Sequence, residues 1–260
     1  MSYVLRFSFL VLTISLMTLW LSVRIGIFFR KRRRSLEENE HEDFGMVMSA
    51  ILTLLGLIIG FSFSMAITRY DQRKTLEEAE ANAIGTEYVR ADFLPAPNAA
   101  KVRGLLKDYL DQRILFYKTR DDQELAQIDA ATAQLEAELW SDVQLPAAAQ
   151  PTPPLTITAT GMNDVLNSKG YTQAAWLNRI PTAAWCLMAA IAVCCNLLIG
   201  YGARRGGARA TLLVVLPLVI SISFTLIADI DSPRGGVVRV HAENLTSLSH
   251  SLHASNPDRP

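Results

Sequence analysis

Few residues in this 260-residue chain are spaced for chemistry. His250 and His253 stand three apart, which puts two imidazoles on one helix face, but no Cys, Asp or Glu lies between or beside them. A zinc ion takes three or four protein ligands, so a solvated tail and no metal site is the expectation. Asp229 and Asp231 stand where the last apolar block ends. A hard cation takes six or more oxygens, so capping or pairing with Arg234 is expected ahead of a cation site. Gly200-Tyr201-Gly202 has the look of a potassium filter, yet Leu198-Ile199 precedes it inside an apolar helix, where a filter needs Thr-Val in a re-entrant loop. Cys186, Cys194 and Cys195 all fall in one apolar block and read as small hydrophobes. The chain has no Gly-x-Ser-x-Gly, phosphate-binding glycine loop, His-Glu-x-x-His or Cys-x-x-Cys. No enzyme and no cofactor is expected.

What must position any function is a set of apolar helices. Net charge is zero and half the residues are hydrophobic, but charge is almost absent from four blocks and crowded between them. Neutral charge, with no basic run interleaved with aromatics, excludes nucleic-acid binding. No acidic or basic residue lies in Phe44 to Thr68, Thr182 to Tyr201, or Thr211 to Ala228. That rules out a buried proton relay or charged coupling-ion site and leaves a passive pore, which small, hydroxyl and hydrophobic side chains can build.

The organising block is Phe44 to Thr68, long enough at about 1.5 Å per residue to cross a hydrocarbon core of about 30 Å. On a helical wheel Ser49, Thr53, Gly56, Gly60 and Ser64 fall on one small, polar face, and Ile51, Leu54, Leu55, Ile58, Met65 and Ala66 point elsewhere. Such a face either packs on another helix, as Gly56-x-x-x-Gly60 allows, or lines a wet path.

The expected fold is all-α and integral to the membrane: four transmembrane helices, with an extramembrane helical bundle inserted between the second and third. Residues 1–30 form the first span, read as a retained anchor because it ends in Arg30-Lys31-Arg32-Arg33-Arg34 and has no cleavage site. Residues 31–43 are a basic then acidic loop, and 44–68 the second span. Residues 69–180 are the bundle. It opens with an unbroken continuation of the second span to Phe93, with apolar positions at Leu76, Ala79, Ala83, Ile84 and Val89, and stops at Pro95. On the continuation Glu78, Asn82, Gly85 and Val89 share a face expected to meet a close neighbour. Further helices are expected from Asn98 to Tyr117, from the caps Asp121 and Asp122 onward, and from Thr160 to Arg179, with an Ala- and Pro-rich linker at 144–157. The third span is 181–203, the basic turn 204–209, the fourth span 210–230 and the tail 231–260, with one weak helix through Leu245, Leu248 and Leu252.

Short loops set orientation. Eight basic residues, Arg30 to Arg34 together with Arg204, Arg205 and Arg209, flank one side against six on the other. The expectation is a multi-pass membrane protein with its amino terminus, bundle and tail outside.

Four segments carry a resemblance: Leu57 to Ala66 (LIIGFSFSMA), Glu80 to Thr86 (EANAIGT) with Arg90-Ala91-Asp92 behind it, Asn178-Arg179-Ile180-Pro181, and Asp229 to Gly235 (DIDSPRG). With these the chain resembles a bacterial family of membrane proteins labelled bestrophin-like. The resemblance implies a distant likeness to bestrophins, pentameric anion channels with four membrane helices per subunit and a helical domain between the second and third. Gly60-Phe61 and Thr68-Arg69-Tyr70 resemble the pore-lining second helix of bestrophins, whose hydrophobic neck would fall at Thr53, Leu57 and Phe61. Thr53 departs from that apolar pattern, and Asp229 and Asp231 alone do not reproduce the family's calcium clasp. Bestrophins also keep the intervening domain and both termini in the cytoplasm, opposite to the orientation read from the basic run.

The functional expectation is an oligomeric anion channel in the lipid bilayer, conducting chloride or another anion, with Ser49, Thr53, Gly56, Leu57, Gly60, Phe61 and Ser64 lining the path or packing helices. The alternative is a non-conducting sensor or scaffold whose bundle binds a partner or ligand.

Overall fold

The computed structural model describes residues 8–32, 38–202 and 207–254, and among them regular structure is helical throughout. The helices are α1 (Ser8–Arg32), α2 (Glu38–Arg90), a 3-10 turn (Ala91–Phe93), α3 (Ala96–Lys118), α4 (Asp122–Ala149), α5 (Pro153–Leu177), α6 (Thr182–Gly202), α7 (Gly207–Asp231) and α8 (Glu243–Ala254). Four of the helices are long and apolar enough to cross a membrane. Arg33, Arg34, Arg204 and Arg205 of the two basic runs, and the last six residues of the tail, lie outside the described residues.

Contacts divide the chain into two units, Met1–Tyr70 with Arg179–Arg239, and Asp71–Asn178 with Val240–Pro260. In the first, Val11 and Leu19 of α1, Leu55 and Ala66 of α2, Trp185, Met188 and Cys195 of α6, and Ile220, Phe224 and Ile227 of α7 form one apolar core. Gly26 and Gly200 let α1 and α6 meet backbone to backbone: a Cβ on Gly26 would stand 2.1 Å from the Leu197 carbonyl oxygen, and one on Gly200 2.2 Å from that of Val23. That is the small-residue packing of membrane helices. Gly200-Tyr201-Gly202 is thus part of a helix contact, with the Tyr201 ring 6.1 Å from that of Phe44.

In the second unit α2, α3, α4, α5 and α8 surround a core that includes Ile84, Val102, Leu106, Leu110, Leu139, Met162, Val165 and Leu245. Asp121 caps α4, accepting from the Gln123 and Glu124 amides at 2.6 and 3.2 Å. The expected linker at 144–157 is much shorter than read. Helix α4 runs through Pro146 to Ala149, and α5 starts at Pro153, where a first-turn proline is tolerated. Pro146 has no N–H for the Asp142 carbonyl, and Asn98 Nδ2 donates to that carbonyl instead at 3.4 Å. The loop expected over 31–43 is also shorter, because α2 begins at Glu38.

The apolar stripe expected beyond the second span is corrected as well. Of Leu76, Ala79, Ala83, Ile84 and Val89 only Ile84 is buried, and the inward stripe is Arg73, Glu77, Glu80, Ala81, Ile84, Glu87 and Ala91. Buried charge is tolerable only with partners. Arg73 donates to the Ala175 and Asn178 carbonyls at 3.1 Å, closing the C-terminal end of α5. Glu77 accepts from Asn244 Nδ2 at 2.6 Å and the Leu245 amide at 2.9 Å, capping the N-terminus of α8. Glu80 receives the Arg113 guanidinium, the Tyr117 hydroxyl at 3.3 Å and the Thr172 hydroxyl at 3.1 Å, joining α2 to α3 and α5. Burial works against the charge on Arg113, but Glu80 holds its pKa above the ordinary value, while burial raises those of Tyr109 and Tyr117. Of the face expected to meet a close neighbour, Gly85 does so through the Leu248 side chain of α8, and Glu78, Asn82 and Val89 are exposed.

Glu87 is the exception. It is buried and neither carboxylate oxygen has a hydrogen-bond partner. Burial pushes its pKa up to about 8 from 4.5, with Arg90 lowering and Asp164 raising it. Because the folded chain then holds a proton that the unfolded chain has released, stability falls as pH rises from about 4.5 to about 8 and levels off above. Glu87→Gln removes the titration. In thermal melts the variant should exceed the wild type by several degrees above pH 8, with the gap closing toward pH 4.5. A gap independent of pH would show that Glu87 does not titrate in that window.

Candidate functional site

Helix α2 crosses the first unit with one side inward. Leu55, Ser62 and Ala66 are buried, and Ile51, Leu52, Ile58, Ile59, Phe63 and Tyr70 pack partly against the same core. The helical period then turns Ser49, Thr53, Gly56, Leu57, Gly60, Phe61 and Ser64 away from it, and all seven are exposed, Leu57 at 53% and Phe61 at 62%. Nothing outside their own turns lies within 4 Å of where a Cβ on Gly56 or Gly60 would stand. Among the described residues, then, Gly56-x-x-x-Gly60 packs on no helix of its own chain, and the close crossing within the chain falls at Gly26 and Gly200. A lone glycine costs a helix interior about 1 kcal/mol, so Gly26 in a block of Phe, Leu and Ile was a readable sign of close approach.

The chemistry this face offers is modest. Thr53 donates its hydroxyl to the Ser49 carbonyl at 2.9 Å, and Thr68 to that of Ser64 at 2.9 Å, so these hydroxyls are spent within the helix. With no ionisable group from Phe44 to Thr68, the face presents small surfaces with two bulky apolar side chains, Leu57 and Phe61, one turn apart.

Asp229 and Asp231 both accept from backbone amides. Asp229 accepts from the Val237 and Val238 amides at 2.9 and 2.8 Å, and Asp231 from the Ile180 amide at 3.1 Å, which anchors the turn into α6 to the end of α7. His253 Nδ1 lies 2.7 Å from the Ser249 carbonyl oxygen, and His250 is exposed. Among the described residues no group of three or more His, Cys, Asp or Glu could hold a metal ion.

A family model described as the bestrophin-like domain matches residues 16–245. No curated protein matches the chain. Among solved structures, a point variant of a bacterial bestrophin homolog from Klebsiella pneumoniae superposes with a TM-score of 0.68 at 13% identity, covering 95% of this chain and 99% of that one. Another crystal structure of the homolog from Klebsiella pneumoniae gives 0.66 at 11% identity, over 96% of this chain and 98% of that one. At such identities the likeness is one of fold.

Proposed function

The chain belongs to the bestrophin-like family, and from that premise we propose that it forms an oligomeric anion channel, with α2 around the path and the second unit as an extramembrane bundle between the second and third spans. The observation that carries this reading is the outward face of α2: small, hydroxyl-bearing and uncovered by the chain's own helices. A face of this kind gains little from lipid and is suited to a neighbouring copy or to water, and copies arranged in a closed ring satisfy both. Leu57 and Phe61 make the apolar constriction, and such a constriction gates by dewetting. Without charged side chains in the path, selectivity between anions rests on width and on the hydroxyls of Ser49 and Ser64.

Chloride flux into liposomes holding the purified protein tests the reading. The wild type should conduct above empty liposomes, and Phe61→Ala should raise the rate severalfold by widening the constriction. No flux from either, in a folded oligomer, would sink the channel. The non-conducting sensor or scaffold would then stand, and it draws on one further observation: the helix that crosses the first unit runs unbroken to Arg90, where Arg73, Glu77 and Glu80 grip α5, α8 and α3.

A further inference from the structure

Of the charged side chains on the inward stripe of α2, Arg73, Glu77 and Glu80 each hold partners on α5, α8 or α3, whereas neither carboxylate oxygen of Glu87 has a hydrogen-bond partner. Both oxygens are also shut off from solvent, so water does not stand in for a donor. What closes the site is α5. A Cβ on Gly161 would fall on the Glu87 carboxylate and the Arg90 guanidinium, so the bare backbone at Gly161 is what lets α5 seat there. Beside it the Thr158 hydroxyl of α5 donates to the Arg90 carbonyl at 3.2 Å. The charged groups facing Glu87 are Arg90 on its own helix, which favours the ionised carboxylate, and Asp164 on α5, which opposes it. A carboxyl so placed is tolerated neutral and costly charged.

We propose that Glu87 and Gly161 form a proton-operated latch in the second unit: with Glu87 protonated α5 seats against the end of α2, and loss of the proton lifts the first turns of α5 so that water and Arg90 reach the carboxylate. The two ends of α5 are held differently, which localises the motion. Its far end is tied to α2 through Arg73, which donates to the Ala175 and Asn178 carbonyls, and through Thr172, which donates to Glu80. Its first turns place Leu155, Thr158 and Met162 in the core and follow a break between helices at 150–152. The direction in pH follows from linkage. Seated, Glu87 keeps its proton up to about pH 8, and lifted into water it ionises near 4.5. The lifted fraction therefore rises about tenfold per pH unit between those values and levels off above. The latch is independent of conduction.

Hydrogen exchange of the full-length protein in detergent tests it, with wild type and Glu87→Gln compared at each pH so that the intrinsic rate of amide exchange cancels. In the wild type at about pH 8, amides from Leu155 to Val165 should exchange at least about tenfold faster than those around Leu106 of α3, which marks an opening short of unfolding the unit. Relative to Glu87→Gln, their rate should rise about tenfold per unit from about pH 6 to about pH 8 and then stay level. Gly161→Ala, a route that does not depend on the Gln variant, puts a methyl where the carboxylate lies, and should leave the same amides fast already at about pH 6. A ratio to Glu87→Gln that does not change with pH would overturn the proposal. Amides of 155–165 that exchange no faster than those of α3 would overturn it too, since Glu87 would then act only through unfolding of the whole unit. Exchange in Gly161→Ala as slow as in the wild type at about pH 6 would show that α5 does not seat on Glu87, with the same consequence.

Discussion

Gly200→Leu should prevent the first unit from packing. The atoms in the way are backbone: a Cβ at Gly200 would stand 2.2 Å from the Val23 carbonyl oxygen, and Gly26 faces the same crossing from the other helix. A flexible side chain could swing aside, but a carbonyl held in a helix moves only if α1 and α6 part. Overpacking an ordinary core costs about 1–3 kcal/mol, and separating two helices along their contact belongs at or above the top of that range. In purified protein the expected outcome is loss of the monodisperse folded species, or a large fall in the thermal midpoint. Gly56→Leu is the matched comparison. Its Cβ meets open space within the chain, so the packing of the first unit should be unchanged and any effect should appear in assembly or flux. Equal damage from both substitutions would refute the assignment of the close crossing to Gly26 and Gly200.

The second large effect is expected at Glu80 and Arg113, whose side chains are both fully buried in the second unit. Removing one partner strands the other charge in a medium that cannot solvate it, at a cost of about 3–5 kcal/mol. Glu80→Leu additionally leaves the Tyr117 and Thr172 hydroxyls short of their acceptor. Arg113→Met strands the Glu80 carboxylate with only those two hydroxyl donors. Replacing both should recover most of the loss, because an apolar pair of similar volume avoids the desolvation of two charges. Denaturant unfolding of the two single variants and the double variant measures the coupling. Single variants within about 1 kcal/mol of wild type, the scale of an exposed pair, would show that this one contributes little.

The sequence placed the apolar helices because hydrophobic length is a property of the chain: the run without charge from Phe44 to Thr68 must be helical in lipid whatever surrounds it. It also placed the Asp121 cap, since a side chain three residues from its amide needs no distant partner. Pro146 was misread for the complementary reason. Proline leaves a carbonyl orphaned within its own helix, but the Asn98 donor that relieves it is 44 residues from Asp142 in sequence. The inward stripe of α2 was misread by assuming that buried means apolar. Arg73, Glu77, Glu80 and Glu87 stand at helical spacing, yet nothing local announces Ala175, Leu245 or Arg113 as their neighbours.

The candidate site divides in the same way. By itself the sequence determined that Ser49, Thr53, Gly56, Gly60 and Ser64 share one face of an uncharged membrane helix, because the 3.6-residue period fixes which side chains are neighbours on a helix. Only the tertiary structure decided that this face turns away from the chain's own core while Leu55, Ser62 and Ala66 turn toward it, and that Gly26 and Gly200 provide the close crossing. A period orders residues around an axis, but the rotation of that axis is chosen by the surfaces it packs against, and those come from α1, α6 and α7.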